Sequence, residues 1–287
     1  MTSELNYGGL DAGYTKLEKA RIVVLPVPYD ETSTWGKGAD LGPEAILEAS
    51  ANMELYDIET DSEVYRLGIF TSDPILEKSS PEAMVNAVQQ QTAEFLKMNK
   101  FVVGLGGEHS VTPGFVRAFF EFFPDMCVLQ LDAHTDLRPE YNGTPYNHAC
   151  AMSRVRELCP VIQVGIRSMD SIEKPFLVRE NLFLAEDIFD NDSWMDKAIG
   201  RLSKNVFITI DLDVFDPSIM PSTGTPEPGG LLWYQVIRFL KKVNASRNII
   251  GFDVVELAPV ENEKSSDFLA SKLVYKILSY KFQKSEN

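Results

Sequence analysis

Residues 126–136 read MCVLQLDAHTD, and the fold is decided there. A short apolar run that ends in charged and turn-forming residues, without helical spacing, marks a strand buried on both faces. Asp132, His134 and Asp136 follow at positions i, i+2 and i+4, so an extended backbone would turn all three to one side. Residues 206–217, VFITIDLDVFDP, repeat the design with an apolar strand that ends in Asp211 and Asp213. Strands of this kind belong to open parallel sheets, in which ligands bind beyond the carboxyl ends of the strands.

Further apolar runs bounded by turn residues lie at 22–28, 101–105, 161–166, 181–184 and 249–255. Helical spacing marks residues 81–98, 193–204 and 231–243 between them, and 265–281 after the last. Alternating strands and helices predict a parallel sheet with helices on both faces. A chain of 287 residues is long enough to bury one large core, and no repeat, low-complexity tract or linker divides it, so residues 1–287 are read as a single domain. Pro217, Pro221, Pro226 and Pro228, with Gly224, Gly229 and Gly230, make one stiff segment directly after two strand-end acids, which suits an active-site loop.

The run at 101–105 ends in Gly106-Gly107-Glu108-His109-Ser110, where the glycines permit a tight turn that brings His109 into the same crevice. Two histidines and four aspartates then converge. Taken singly, an Asp after a strand is a turn former or helix cap, and Asp216 before Pro217 is read that way. Taken together, Asp132, Asp136, Asp211 and Asp213 would place four negative charges in a partly dry crevice, which two divalent cations neutralise. Mixed imidazole and carboxylate donors suit Mn²⁺, and Zn²⁺, Fe²⁺, Ni²⁺ or Co²⁺ can use the same set.

Composition narrows the partners. The formal net charge of −15 opposes binding to nucleic acid or anionic lipid; most of it is read as surface that keeps the protein soluble, and it also raises the local concentration of a cationic substrate. No apolar run is long enough to cross a bilayer, and the start, MTSELNYGGLDAG, lacks the basic-then-apolar order of a signal peptide, so the expected location is cytoplasmic. Three cysteines without paired spacing are read as reduced thiols.

At these motifs the sequence resembles the arginase/agmatinase/formiminoglutamase family, the ureohydrolases. The resemblance runs from VPYDETSTWGKGADLGPEAILEAS at 27–50 through GGEHS at 106–110, DAHTD at 132–136 and TIDLDVFDP at 209–217 to TGTPEPGG at 223–230 and DVVELAP at 253–259. It implies a three-layer α/β/α sandwich around an eight-stranded parallel sheet, with two Mn²⁺ ions per subunit. His109, Asp132, Asp136 and Asp211 would hold one ion, and Asp132, His134, Asp211 and Asp213 the other. It also implies a homotrimer or homohexamer.

The implied reaction is hydrolysis of a guanidino group to urea and a primary amine. The leaving amine must be protonated as it departs. His148, in YNGTPYNHACAMSRV, matches the family's catalytic histidine, and Glu256 matches the glutamate that receives the planar N–H donors of the guanidinium. Glu108 is a candidate partner for the ring of its neighbour His109, and Glu227 a loop-shaping residue. Residues 138–148, RPEYNGTPYNH, lack the Ser-Gly-Asn stretch with which arginases recognise arginine. That favours agmatine, cleaved to putrescine and urea, with N1-aminopropylagmatine (giving spermidine and urea), guanidinobutyrate and arginine as alternatives. A metal-dependent deacylase of the related fold would bring adjacent histidines, and no His-His pair occurs. A non-catalytic homologue is disfavoured by the intact ligand set.

Overall fold

The computed structural model describes residues 5–283. Eight strands form one sheet: β1 (Ile22–Val27), β2 (Ile69–Thr71), β3 (Phe101–Gly106), β4 (Cys127–Leu131), β5 (Val161–Ile166), β6 (Leu182–Leu184), β7 (Asn205–Asp211) and β8 (Asn248–Val255). Their order is β2-β1-β3-β8-β7-β4-β5-β6, and every neighbouring pair is parallel.

Period-two alternation sorts the strand residues onto two faces. Ile22, Val24, Val103, Leu129 and Ile208 meet α1 (Gly42–Ser50), α6 (Ser193–Arg201), α7 (Trp233–Ser246) and α8 (Ser265–Phe282). Val23, Leu25, Val102, Val128 and Phe207 meet α2 (Pro81–Lys97), α3 (Thr112–Phe122) and α4 (Ala151–Val155). A short α5 (Ala185–Ile188) follows β6. The result is the expected three-layer α/β/α sandwich. Because both sheet faces are covered, the strands read as continuous apolar runs.

Local chemistry sets the element boundaries. Ser80 caps α2 by accepting the Ala83 N–H at 3.1 Å, and Pro81 opens the helix where no backbone donor is needed. The periodic segments at 81–98, 193–204, 231–243 and 265–281 all fold as helices, with ends shifted by three residues or fewer. α1, α3 and the edge strand β2 were not anticipated from periodicity. β2 has three residues, too few for a period-two signal, and only Ile69 is fully buried. α3 packs flat on the sheet because Gly104 leaves room for Phe115: a Cβ there would lie 2.5 Å from the ring.

All three cysteines are buried and free. No helix among the described residues is long and apolar enough to cross a membrane.

Candidate metal centre and active-site cleft

The four central strands β3, β8, β7 and β4 are consecutive neighbours, so the segments leaving their carboxyl ends share one crevice. β3 delivers His109, β8 delivers Glu256, β7 delivers Asp211 and Asp213, and β4 delivers Asp132, His134 and Asp136. At the β3 exit, Gly107 passes so close to Tyr29 that a Cβ would sit 2.0 Å from the Tyr29 carbonyl oxygen. The Glu108 N–H donates to that same oxygen at 2.9 Å, which fixes the turn presenting His109.

The four aspartates and two histidines do converge, though by a different route from the extended one expected. β4 ends at Leu131, and Asp136 has φ +52°, in the left-handed region. The chain bends because the carboxylates seize backbone N–H groups: Ala133 N–H donates to Asp213 Oδ1 at 3.0 Å and His134 N–H to Asp132 Oδ1 at 2.6 Å. Glu256 is also left-handed, at φ +68°. Such backbones cost about 1 kcal/mol or more in a non-glycine residue and collect at functional sites.

Two donor groups result. His109, Asp132 and Asp211 form one and Asp132, His134 and Asp213 the other, with the facing atoms of each group within 4.8 Å of one another. Asp132 is common to both. His109 Nδ1 lies 3.1 Å from Asp132 Oδ2, 2.9 Å from Asp136 Oδ2 and 3.4 Å from Asp211 Oδ2. His134 Nδ1 lies 2.9 Å from Asp213 Oδ2.

The electrostatics are severe. Burial, reinforced by the charge of Asp132, pushes Asp136 up to about 7. Burial and the charges of Asp213 and Asp132 drive Asp211 well above the carboxylate range. Burial opposes a charge on His134, yet Asp213 and Asp132 outweigh it and lift that imidazole to about 12. A crevice this rich in anions calls for cations.

The orientation of His109 supplies an independent test of fit. Its Nε2 lies 2.9 Å from Thr209 Oγ1, and Thr209, with Thr112, leads to the buried carboxylate of Asp253, whose Oδ2 accepts from Thr112 Oγ1 at 2.9 Å. A chain that ends on a carboxylate draws hydrogens toward it, so Nε2 carries the ring proton and Nδ1 presents a lone pair. That lone pair faces three carboxylates, and although the atoms are close, none makes a well-directed hydrogen bond to Nδ1. Burial opposes a charge on this ring, yet the same three carboxylates raise the imidazole well above its ordinary value. The position therefore calls for positive charge, which a proton or a divalent metal ion supplies, and the nitrogen and oxygen donors fit the metal. Mixed nitrogen and oxygen donors suit Mn²⁺ and its neighbours in the first transition row.

Several residues that hold this arrangement were missed in the sequence. Gln130 Nε2 donates to Asp132 Oδ2 at 2.6 Å, and Thr209 and Asp253 steer His109. Arg167 Nη2 donates to the carbonyls of Asp213 at 2.6 Å and Glu227 at 2.8 Å, tying the β7 exit to the proline-rich loop. The Glu227 carboxylate itself lies 3.8 Å from His134 Nε2, so the residue faces the donor group as well as holding the loop. Asp216 acts as a turn residue, taking the N–H groups of Ser218, Gly229 and Gly230. Gln130, Thr209 and Asp253 stand on strands among apolar neighbours, and a polar residue inside such a run is the one signal that could have revealed them.

Glu108 departs from expectation. It does not contact the ring of His109. Its buried carboxylate accepts from Thr32 N–H at 2.8 Å, Thr32 Oγ1 at 2.6 Å and Ser110 Oγ at 2.7 Å. The reason is direction: adjacent residues at the turn point apart, and the oxygen that orients His109 comes from β7 instead.

A cavity of about 180 Å³ opens above the donors. Its lining includes His109, His134, Asp136, Asp211, His148 and Glu256, together with Tyr141, Met169 and Asp170. Glu256 Oε1 accepts the His109 N–H at 2.6 Å. Burial, with Glu108 nearby, raises Glu256 well above the carboxylate range. Burial pushes His148 down to about 4, so its imidazole is neutral at pH 7.

Known proteins match this architecture along most of the chain. The model of the arginase family matches residues 20–279. A protein of Synechocystis sp. named N(1)-aminopropylagmatine ureohydrolase is 41% identical over 93% of this chain and 90% of its own length. An agmatinase of Halalkalibacterium halodurans is 31% identical over 91% of this chain and 92% of its own. Among solved structures, the agmatine ureohydrolase of Thermoplasma volcanium superposes with a TM-score of 0.85 at 30% identity, covering 94% of this chain and 92% of that one. The crevice of paired acids and imidazoles at the carboxyl edge of a parallel sheet is thus that of a ureohydrolase, and the chain belongs to the arginase family.

Proposed function

We propose that the protein hydrolyses the guanidino group of N1-aminopropylagmatine, releasing urea and spermidine. The observation that carries this choice is the identity gradient. The relatives named N(1)-aminopropylagmatine ureohydrolase reach 41% and 39%, against 31% for those named agmatinase. Agmatine, favoured from the sequence alone, becomes the second reading, supported by those agmatinases and by the Thermoplasma volcanium structure. The same cavity is lined by Tyr141, Met169 and Asp170, where Arg138 pairs with Asp170 at 3.0 Å and lies over the Tyr141 ring, so the substrate choice rests on the identity gradient.

In this reading His109, Asp132, Asp136 and Asp211 would hold one Mn²⁺ ion, and Asp132, His134, Asp211 and Asp213 would hold the other. When bound, the ions supply the positive charge that neutralises the carboxylates and activates water. Glu256 has one oxygen committed to the His109 N–H, leaving Oε2 to receive guanidinium N–H donors. His148 Nε2 has no hydrogen-bond partner among the described residues and lines the cavity. It takes a proton as water adds to the guanidino carbon and returns it to the departing nitrogen as the C–N bond breaks. The products are urea and a protonated amine.

Residues 1–287 act as one catalytic domain, a reading supported by the family match over residues 20–279. Assembly as a homotrimer or homohexamer and a cytoplasmic location complete the proposal. Light scattering tests the assembly.

The deciding experiment loads the enzyme with Mn²⁺ and measures urea release from N1-aminopropylagmatine, agmatine, arginine and guanidinobutyrate. The highest kcat/KM is expected for N1-aminopropylagmatine. A higher value for agmatine selects the second reading, and urea from none of the four rejects guanidine hydrolysis. His148→Asn is expected to keep its metals and lose most turnover.

A further inference from the structure

We propose that Thr32 and Glu108 are positioning residues for His148: the buried Glu108 carboxylate orients the Thr32 hydroxyl, which in turn holds the imidazole in the Nδ1–H tautomer with Nε2 turned to the cavity. This rests on the proton-transfer role given to His148 above.

The geometry leaves little freedom. The Thr32 hydroxyl has one hydrogen and two lone pairs. Its Oγ1 lies 2.6 Å from Glu108 Oε1, 3.0 Å from the backbone nitrogen of His148 and 3.3 Å from His148 Nδ1. Glu108 also receives the Thr32 N–H at 2.8 Å and the Ser110 hydroxyl at 2.7 Å, so three donors point at its two oxygens. A carboxylate facing three donors is the acceptor in each of those bonds. The hydroxyl hydrogen therefore goes to Glu108, and both lone pairs are left for His148. The backbone N–H takes one. The ring can use the other only by donating, which puts the ring proton on Nδ1.

The neutral ring then has its lone pair on Nε2, the atom required to accept and return a proton. The arrangement resembles in logic the carboxylate–imidazole pairs of hydrolases, where a buried acid fixes tautomer and orientation without itself becoming protonated. Here one hydroxyl is interposed. The pieces come from far apart: Thr32 follows β1, Glu108 follows β3, and His148 lies between β4 and α4. Asn147 reinforces the contact, since its Nδ2 reaches the Thr32 carbonyl at 3.5 Å and its Oδ1 accepts the Ala149 N–H at 3.0 Å.

The chain has three histidines, which makes the tautomer directly readable. Protein labelled with ¹⁵N-histidine and loaded with diamagnetic Zn²⁺ gives three ring patterns in a two-bond ¹⁵N–¹H correlation spectrum, and the His148→Asn protein assigns the third. His148 is expected to carry its proton on Nδ1 in the wild type. Thr32→Val should shift the population toward Nε2–H and lower kcat roughly 10–100-fold with KM within about twofold. Thr32→Ser should restore both, and Glu108→Gln should reproduce the Thr32→Val spectrum in part. Wild-type His148 protonated on Nε2, or an unchanged tautomer in folded Thr32→Val, overturns the proposal. The wild-type spectrum decides even if a variant does not fold. Full turnover by metal-loaded His148→Asn instead overturns the proton-transfer role, and the spectrum still judges the positioning separately.

Discussion

Asp132 Oδ2 lies 3.1 Å from His109 Nδ1, while the other oxygen of the same carboxylate lies 3.7 Å from His134 Nδ1. One side chain, fully buried and braced by Gln130, therefore belongs to both donor groups. Asp132→Asn keeps the shape and removes the shared charge. Each chain of the variant is expected to retain less than one tightly held divalent ion, with an affinity loss beyond the roughly 10–100-fold typical of removing an outer partner. Elemental analysis after gel filtration measures this. Two retained ions would exclude the shared role.

Thr209 makes the contact that points the Nδ1 lone pair of His109 inward. Thr209→Val should leave the fold intact and weaken Mn²⁺ binding by roughly 10–100-fold. Thr209→Ser should restore most of it. Calorimetric titration of metal into the metal-free protein reads the effect, and equal affinities for Val and Thr would mean that the hydroxyl plays no part.

Gly107 has no space for a methyl group, because backbone rather than a movable side chain lies 2.0 Å from its Cβ position. Gly107→Ala must displace the segment around Tyr29 or the turn that carries Glu108 and His109. A loss of about 3 kcal/mol in unfolding free energy is expected, with a fall in turnover. Chemical denaturation and steady-state assays test it together.

A prediction about stability concerns a site remote from the crevice. Lys276 on α8 bonds Asp57 Oδ2 at 2.9 Å and Glu59 Oε2 at 2.6 Å, locking the α1–β2 connection onto the last helix. Lys276→Met leaves the buried Asp57 without its cation, for a cost of about 3 kcal/mol, and turnover should change little. Burial opposes ionisation of Glu59, but hydrogen bonds from Lys241, Lys276 and Tyr280 overcome it and hold the group at about 2, below its ordinary 4.5. A depressed folded-state value means stability that is complete above pH 4.5 and is lost as pH falls toward 2. The exposed side of Glu59 is screened by solvent, which keeps this contribution small. Urea denaturation across that range should show a shallower acid slope in Lys276→Met.

Much of this architecture was legible because buried parallel strands announce themselves as apolar runs, and because acids at strand ends have few structural reasons to cluster. Asp132, His134, Asp136, Asp211, Asp213 and His109 were found that way. The edge strand β2 was not, being three residues long and partly exposed. Nor could the sequence reveal the left-handed backbones of Asp136 and Glu256, which depend on tertiary hydrogen bonds: Glu256 N–H donates to Gly107 O at 2.7 Å. Glu108 was only a candidate partner for the His109 ring, because adjacency in the chain says nothing about side-chain direction, and its carboxylate takes the donors of Thr32 and Ser110. Thr32 carried no local signal at all, since its meaning comes from Glu108 and His148, 76 and 116 residues away.

The adjacency of β4 and β7 has a metric consequence. Backbone hydrogen bonding fixes neighbouring strands about 4.8 Å apart. Asp211 ends one of these strands and Asp132 directly follows the other. The sheet thus serves as a ruler whose gradations are peptide groups, and its pitch does not depend on which side chains occupy the marks. Exchanging donors or rebuilding loops can change which ion or substrate is accepted. Both donor groups draw on the exits of β4 and β7, so the spacing of the carboxylates within each group is a property of the main chain.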